Sequence, residues 1–175
     1  MRFYRAGRGP WSTRRSFGPL PDARFDHHRP PLGEDPERSV WYAGRSLAGA
    51  LAEAFGRVGF LDRGSDARVV VAEARSPFEV IDLVGMAARR LGLDQRVGAS
   101  TDYPNTQAWA RSFYERYPEL AGIRWRGRQA GSICAVLDDR AAIEHLEARA
   151  DLHFADPAVW PRIARAARRA QLKVV

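Results

Sequence analysis

The sequence predicts an α+β (mixed α/β) fold around a strongly bent sheet. Three observations carry this. Residues 67–75 (ARVVVAEAR) are a valine run bounded by polar residues, the pattern of a buried strand. Residues 47–58 repeat apolar side chains at helical spacing. Around them, candidate strands and helices alternate irregularly. The 175 residues are one domain's worth and read as a single domain over 1–175.

The elements follow in order. Residues 2–6 (RFYRA) alternate and predict a short strand. Residues 7–37 hold Pro10, Pro19, Pro21, Pro30, Pro31 and Pro36 and predict an irregular loop. Its aromatics Trp11, Phe17 and Phe25 argue for order, so the loop is expected to wrap something polar. A strand is expected at 39–43, then a helix over 47–58 capped by Ser46. The valine strand at 67–75 is followed by a strand at 78–83 and a helix at 84–91. Pro104 and Asn105 open a helix over 104–117. Strands at 122–127 and 132–137 are expected to pair through a turn with Gly127 and Gly131. Helices at 139–147 and 156–171 complete the chain, with Pro161 a second candidate for the last helix's first turn.

Composition narrows the class. No run of 18 apolar residues occurs, so no membrane span is expected. The basic start, MRFYRAGRGPW, lacks the apolar stretch of a secretory signal. A lone Cys134 cannot form an internal disulfide, which fits a reducing, cytoplasmic setting. The net charge is +7, and of 28 bases only Lys173 is a lysine. Arginine forks bind phosphates bidentately, whether the phosphates belong to a nucleic acid or a dinucleotide. The acids are interspersed with the bases, and the basic end of the chain (Arg162, Arg165, Arg168, Arg169, Lys173) reads as a solvated face. A homodimer is the default assembly for a soluble protein.

The helix at 47–58 is the most informative segment. Leu47, Leu51, Ala54, Phe55 and Val58 form the expected core stripe. The other side carries Gly49, Ala52, Glu53 and Gly56. Each interior glycine costs about 0.5–1 kcal/mol, so small residues there imply that something packs closely on that side. Glu53 is then either an acid in a crowded place, where carboxylates do chemistry, or a surface partner of Arg57 at i,i+4. Other signals are weaker. His27 and His28 are adjacent and lack further ligands nearby, so no metal is expected. The glycine motifs of dinucleotide-binding and P-loop folds are absent, as is a nucleophile elbow. Ser132, Tyr42, Tyr103 and Gln107 each admit an ordinary structural reading on their own.

Together the segments resemble one family. RFYRA at 2–6, ARFDHHRP at 23–30, VWYAGRSLAGALAEAF at 40–55, NTQAWA at 105–110 and GIRWRGRQAGSICAVL at 122–137 are similar to the RES domain. The resemblance covers nearly the whole chain and is strongest from Tyr42 to Glu53. It implies an ADP-ribosyltransferase-like fold with a split central sheet and a cleft for NAD. It implies a bacterial type II toxin that consumes NAD as substrate by hydrolysis or phosphorolysis, or transfers ADP-ribose to a protein. It implies an Xre-like helix-turn-helix antitoxin as partner, with DNA contact left to the antitoxin. A catalytically inactive or nucleic-acid-binding Arg-rich domain is the remaining alternative.

By the same resemblance, Arg5 and Arg24 match arginines that hold phosphate or ribose oxygens. Tyr42 matches a tyrosine facing nicotinamide, and Glu53 matches the family's acid. Gln107 and Ser132 join the expected NAD-binding set. Gly127 stands where many relatives have the family's serine, and Ser132, five residues on, either compensates or is unrelated. The chemistry fits these residue types. Breaking the nicotinamide–ribose bond makes the ribose oxocarbenium-like, and a nearby carboxylate stabilises that charge.

Overall fold

The computed structural model describes residues 1–8, 15–17, 23–31, 33–129, 131–140 and 145–175. In chain order the elements are β1 (Arg2–Gly7), β2 (Arg15–Phe17), β3 (Asp35–Gly44), α1 (Leu47–Phe55), β4 (Phe60–Leu61), β5 (Arg68–Ala74) and β6 (Ile81–Asp82). Then come α2 (Met86–Arg90), a 3-10 turn at Gln95–Ala99, α3 (Tyr103–Arg116), β7 (Gly122–Arg126), β8 (Ile133–Asp138), β9 (Leu146–His153), α4 (Trp160–Arg169) and β10 (Lys173–Val174). Among the described residues, no helix is long and apolar enough to cross a membrane.

The main sheet runs β6-β7-β8-β3-β1-β5-β9, with β2 added on β3, and β10 and β4 form a separate parallel pair. It is split at β3. One edge of β3 pairs with β8 from Val40↔Asp138 to Gly44↔Cys134. The other edge carries β2 at its start and meets β1 only at its end, where Tyr4 opposes Gly44. β1 then pairs with β5 along its whole length. Two leaves therefore join at one corner, as a split sheet requires.

Strand alternation fixes which helices share a face. Tyr4 and Ala6 point with Val69 and Val71 into a core completed by Leu47, Leu51 and Phe55 of α1 and Ile163 and Ala167 of α4. Val40 and Tyr42 point with Val136 and Trp125 into a second core under Ala110 and Phe113 of α3. Tyr4 opposes Gly44, which alternates in step with Tyr42 and Val40, so both cores lie on the same side of the sheet. The corner between the leaves thus has α1 on one flank and α3 on the other. Phe3, Trp41 and Leu137 fill the reverse side.

Several sequence expectations change. The helix expected at 139–147 is replaced at its end by β9, while residues 141–144 lie outside the described residues. The segment LEARADLH is made largely of helix formers, yet Leu146, Ala148, Ala150 and Leu152 recur at period two. Pairing with β5 decides the matter, with a register shift at Val71/Ala72. The strand expected at 78–83 shrinks to Ile81–Asp82. The core stripe of α1 loses Ala54 and Val58, because the helix ends at Phe55 and both residues are exposed. Within 7–37, β2 forms a strand where the prolines predict only loop, and residues 9–14, 18–22 and 32, with Pro10, Pro19 and Pro21, lie outside the described residues.

Candidate active site

α1 reaches the corner because the chain leaves β3 and is capped at once. Ser46 is extended and its side chain accepts a hydrogen bond from Gly49 N at 3.1 Å. One side of the helix buries Leu51 completely. The small-residue side packs on the connection between β7 and β8. There the Gly127 amide donates to the Ser132 carbonyl at 2.8 Å, and Gly131 adopts φ +59°, a left-handed turn that favours glycine.

The closeness of this contact explains the glycines. A β-carbon at Gly49 would collide with Ser132 Oγ and lie 2.6 Å from Ser132 Cβ. One at Gly56 would lie 2.9 Å from Gln129 Cδ. We therefore expect Gly49→Ala to destabilise the fold by about 1–3 kcal/mol through overpacking, although alanine favours a helix over glycine. Denaturant midpoints test this, and Ser132→Gly in the same chain should restore most of the loss. Unchanged stability in Gly49→Ala alone would mean the two segments part easily.

Glu53 projects from this side of α1 and is half-buried. Its Oε1 accepts a hydrogen bond from the Gln129 backbone amide at 3.1 Å. It forms no ion pair among the described residues, so the surface pairing with Arg57 does not occur. The carboxylate lies directly over Gly127: a β-carbon there would collide with Glu53 Oε1 and lie 2.8 Å from Cys134 Sγ. Burial pushes the Cys134 thiol up to about 12, the Glu53 charge adds to the shift, and the Arg24 guanidinium opposes it. Glu53 and Arg24 thus both act on one buried sulfur from different elements.

Arg24 sits in a segment, 23–28, that is pinned from three sides. The Tyr42 hydroxyl donates to Asp26 Oδ1 at 2.9 Å and accepts from the Phe25 amide at 3.1 Å. Gln107 Nε2 donates to the Ala23 carbonyl at 2.9 Å, and Arg38 donates to the His27 carbonyl at 2.7 Å. Asp26 is fully buried and also accepts from the Ala23 amide at 3.1 Å. Arg24 itself is buried, donates to the Ser100 carbonyl at 3.0 Å and lies 5.6 Å from the Tyr103 ring centre. Phe25 and Tyr42 both meet Trp125 edge-on, at 4.9 and 6.0 Å between ring centres.

Sequence-predicted residues therefore divide. Arg24, Tyr42, Glu53, Gln107 and Ser132 all belong to the side of the sheet that carries α1 and α3. Tyr42 and Gln107 hold the Arg24 segment by hydrogen bonds. Ser132 Oγ is buried without a hydrogen-bond partner among the described residues, as is Trp125 Nε1. Arg5 goes elsewhere: it alternates with Tyr4 and Ala6 and its guanidinium lies 6.0 Å from the Trp41 ring centre, on the reverse side. His27 stacks on Tyr114 at 4.2 Å and serves this loop's anchoring. Sequence reasoning misses Asp26 and Trp125. Their one signal is their place inside the segments ARFDHHRP and GIRWRGRQ.

Among the described residues, the arrangement offers a carboxylate free of ion pairs, a buried arginine, aromatic edges and two buried donors without partners. Such groups suit a ligand with phosphate, ribose hydroxyls and an aromatic ring. Known proteins share this framework. The profile of a family described as the RES domain matches residues 2–157. No curated protein matches by sequence. Among solved structures, the chain is similar to one in the crystal structure of the M. tuberculosis MbcT-MbcA toxin-antitoxin complex. The identity is 16%, the alignment covers 94% of this chain and 88% of that one, and the TM-score is 0.67. At that identity, the likeness is one of fold.

Proposed function

This chain belongs to the RES-domain family, and on that footing we propose that it is the toxin of a type II toxin–antitoxin module that cleaves the nicotinamide–ribose bond of NAD. The observation that carries the reading is the Glu53 carboxylate, fixed by the Gln129 amide, without an ion pair among the described residues, on the side of the sheet that also holds Arg24. A carboxylate so placed offers negative charge to a ribose that becomes positive as nicotinamide leaves. Nicotinamide is a good leaving group, so no general acid is required.

The residues present fit this ligand. Arg24 supplies a guanidinium for pyrophosphate oxygens. Ser132 Oγ and Trp125 Nε1 are buried without partners among the described residues, and a ligand reaches Ser132 Oγ only if the Gly49 contact opens. The Tyr42 ring offers an aromatic wall while its hydroxyl keeps the Arg24 segment in place. NAD supplies the glycosidic bond and the leaving group; water or phosphate takes the ribosyl group. The partner in this reading is an Xre-like antitoxin, in keeping with a structural neighbour solved as a toxin–antitoxin complex.

Purified protein incubated with NAD is expected to release free nicotinamide and to deplete NAD. Adenine-labelled NAD separates the acceptors: label in small products means hydrolysis or phosphorolysis, and label on a protein band means ADP-ribosyl transfer. Intact NAD after incubation with folded protein, with and without cell extract, would overturn the reading.

A further inference from the structure

We propose that the exposed face of α4 binds the sugar–phosphate backbone of a nucleic-acid duplex. Residues 157–175 carry five bases and no acid, whereas the preceding 156 residues hold 23 bases against 21 acids. Nearly all of this segment lies beyond the span that matches the RES domain, residues 2–157. At 100° per residue, Arg162, Arg165, Arg168 and Arg169 fall within an arc of about 120° on the helix. All four are exposed, and none forms an ion pair with a described acid. The other side of α4 (Ile163, Ala164, Ala166, Ala167) is buried against the core.

Helix stability does not account for this strip. Arg168 and Arg169 suit the negative C-terminal end of the helix dipole, but Arg162 lies in the first turn, where a cation is disfavoured. Arg162 and Arg165, and Arg165 and Arg169, are like-charge neighbours at i,i+3 and i,i+4, which repel. Such a local conflict without internal compensation marks a functional surface. Its chemistry favours phosphates over other partners. The apolar side of α4 is already buried, so the helix has nothing left to sink into lipid. A protein interface takes up arginine but is built around an apolar, often aromatic, core, and apart from Pro161 this strip shows only guanidinium groups to solvent. Clustered arginines along one helix face are the electrostatic footprint of duplex binding. This departs from the expectation that DNA contact falls to the antitoxin alone, and it does not depend on NAD cleavage.

The test measures binding of the full chain to a 24-bp DNA duplex across salt concentration. For every phosphate that the protein no longer neutralises, the slope of log K against log salt becomes shallower by about 0.9. The variant Arg162→Ala/Arg165→Ala/Arg169→Ala is therefore expected to reduce the slope by about 2–3, with its melting curve unchanged. A charge-matched control, Arg89→Ala/Arg90→Ala/Arg116→Ala, should leave the slope near that of the unmodified chain. Absence of duplex binding at about 50 mM salt, where phosphate-driven binding is strong, would overturn the proposal. So would an equal loss in both variants, or α4-dependent binding to anionic lipid vesicles or polyglutamate but not to the duplex.

Discussion

Glu53→Gln is expected to lower nicotinamide release by about 10²–10³-fold, the usual effect of removing one electrostatic group aimed at developing charge. The substitution keeps the shape of the side chain and its oxygen. That oxygen still accepts from the Gln129 amide, so the contact with the 127–132 connection survives. What disappears is the negative charge. Because Glu53 makes no ion pair among the described residues, no cation is left stranded, and stability should change by less than about 1 kcal/mol. The loss should fall on kcat rather than KM, since the charge matters most as the bond breaks. Kinetics of nicotinamide release beside a denaturant melt separate the two effects. Full-rate release from a folded Glu53→Gln variant would remove Glu53 from the chemistry. A variant that fails to fold would instead place Glu53 among the structural residues of α1.

The part of the site on α1 was legible because helices rarely place glycine opposite a core stripe without a reason. Gly49 costs helix stability locally, and the close approach of Ser132 explains it, while Gly56 caps the helix end beside Gln129. What touches them was not legible. The Gln129 amide that holds Glu53 is 76 residues away in sequence, and its place depends on how β7 and β8 pair. The same holds for Tyr42. Its alternation in a strand could be read, but its bonds to Asp26 and Phe25 depend on where the 23–28 segment lands.

Arg5 and β9 show two further limits. The alternation of β1 was readable, yet which face looks toward α1 is set by the single corner where Tyr4 meets Gly44. That corner puts Arg5 beside Trp41. In β9, composition and period disagree. Leu, Glu, Ala and Arg are good helix formers, yet a strand forms because β5 presents an edge for it, and its register shift turns Leu146 toward the Trp41 side and Leu152 toward the Val69 side. Propensity is the weaker signal wherever a partner strand is waiting.

Gly127→Ser is expected to impair the site rather than to improve it, even though the resemblance implies a serine there. The added β-carbon would collide with Glu53 Oε1 and crowd Cys134 Sγ, which is buried and has little room to yield. The Glu53 carboxylate is the far end of a flexible side chain, so it is the group that moves. Nicotinamide release should fall by at least about tenfold, the cost of a misplaced catalytic group, and stability by about 1–3 kcal/mol from overpacking. A double-substitution cycle isolates the cause. If Gly127 acts through Glu53, adding Gly127→Ser to Glu53→Gln lowers turnover no further, because the charge it displaces is already gone. Additive losses would mean that residue 127 touches the reaction by another route. An increase in turnover with Gly127→Ser alone would mean that Glu53 works from a different position, and that the glycine is a defect in this chain rather than an adaptation to its own acid.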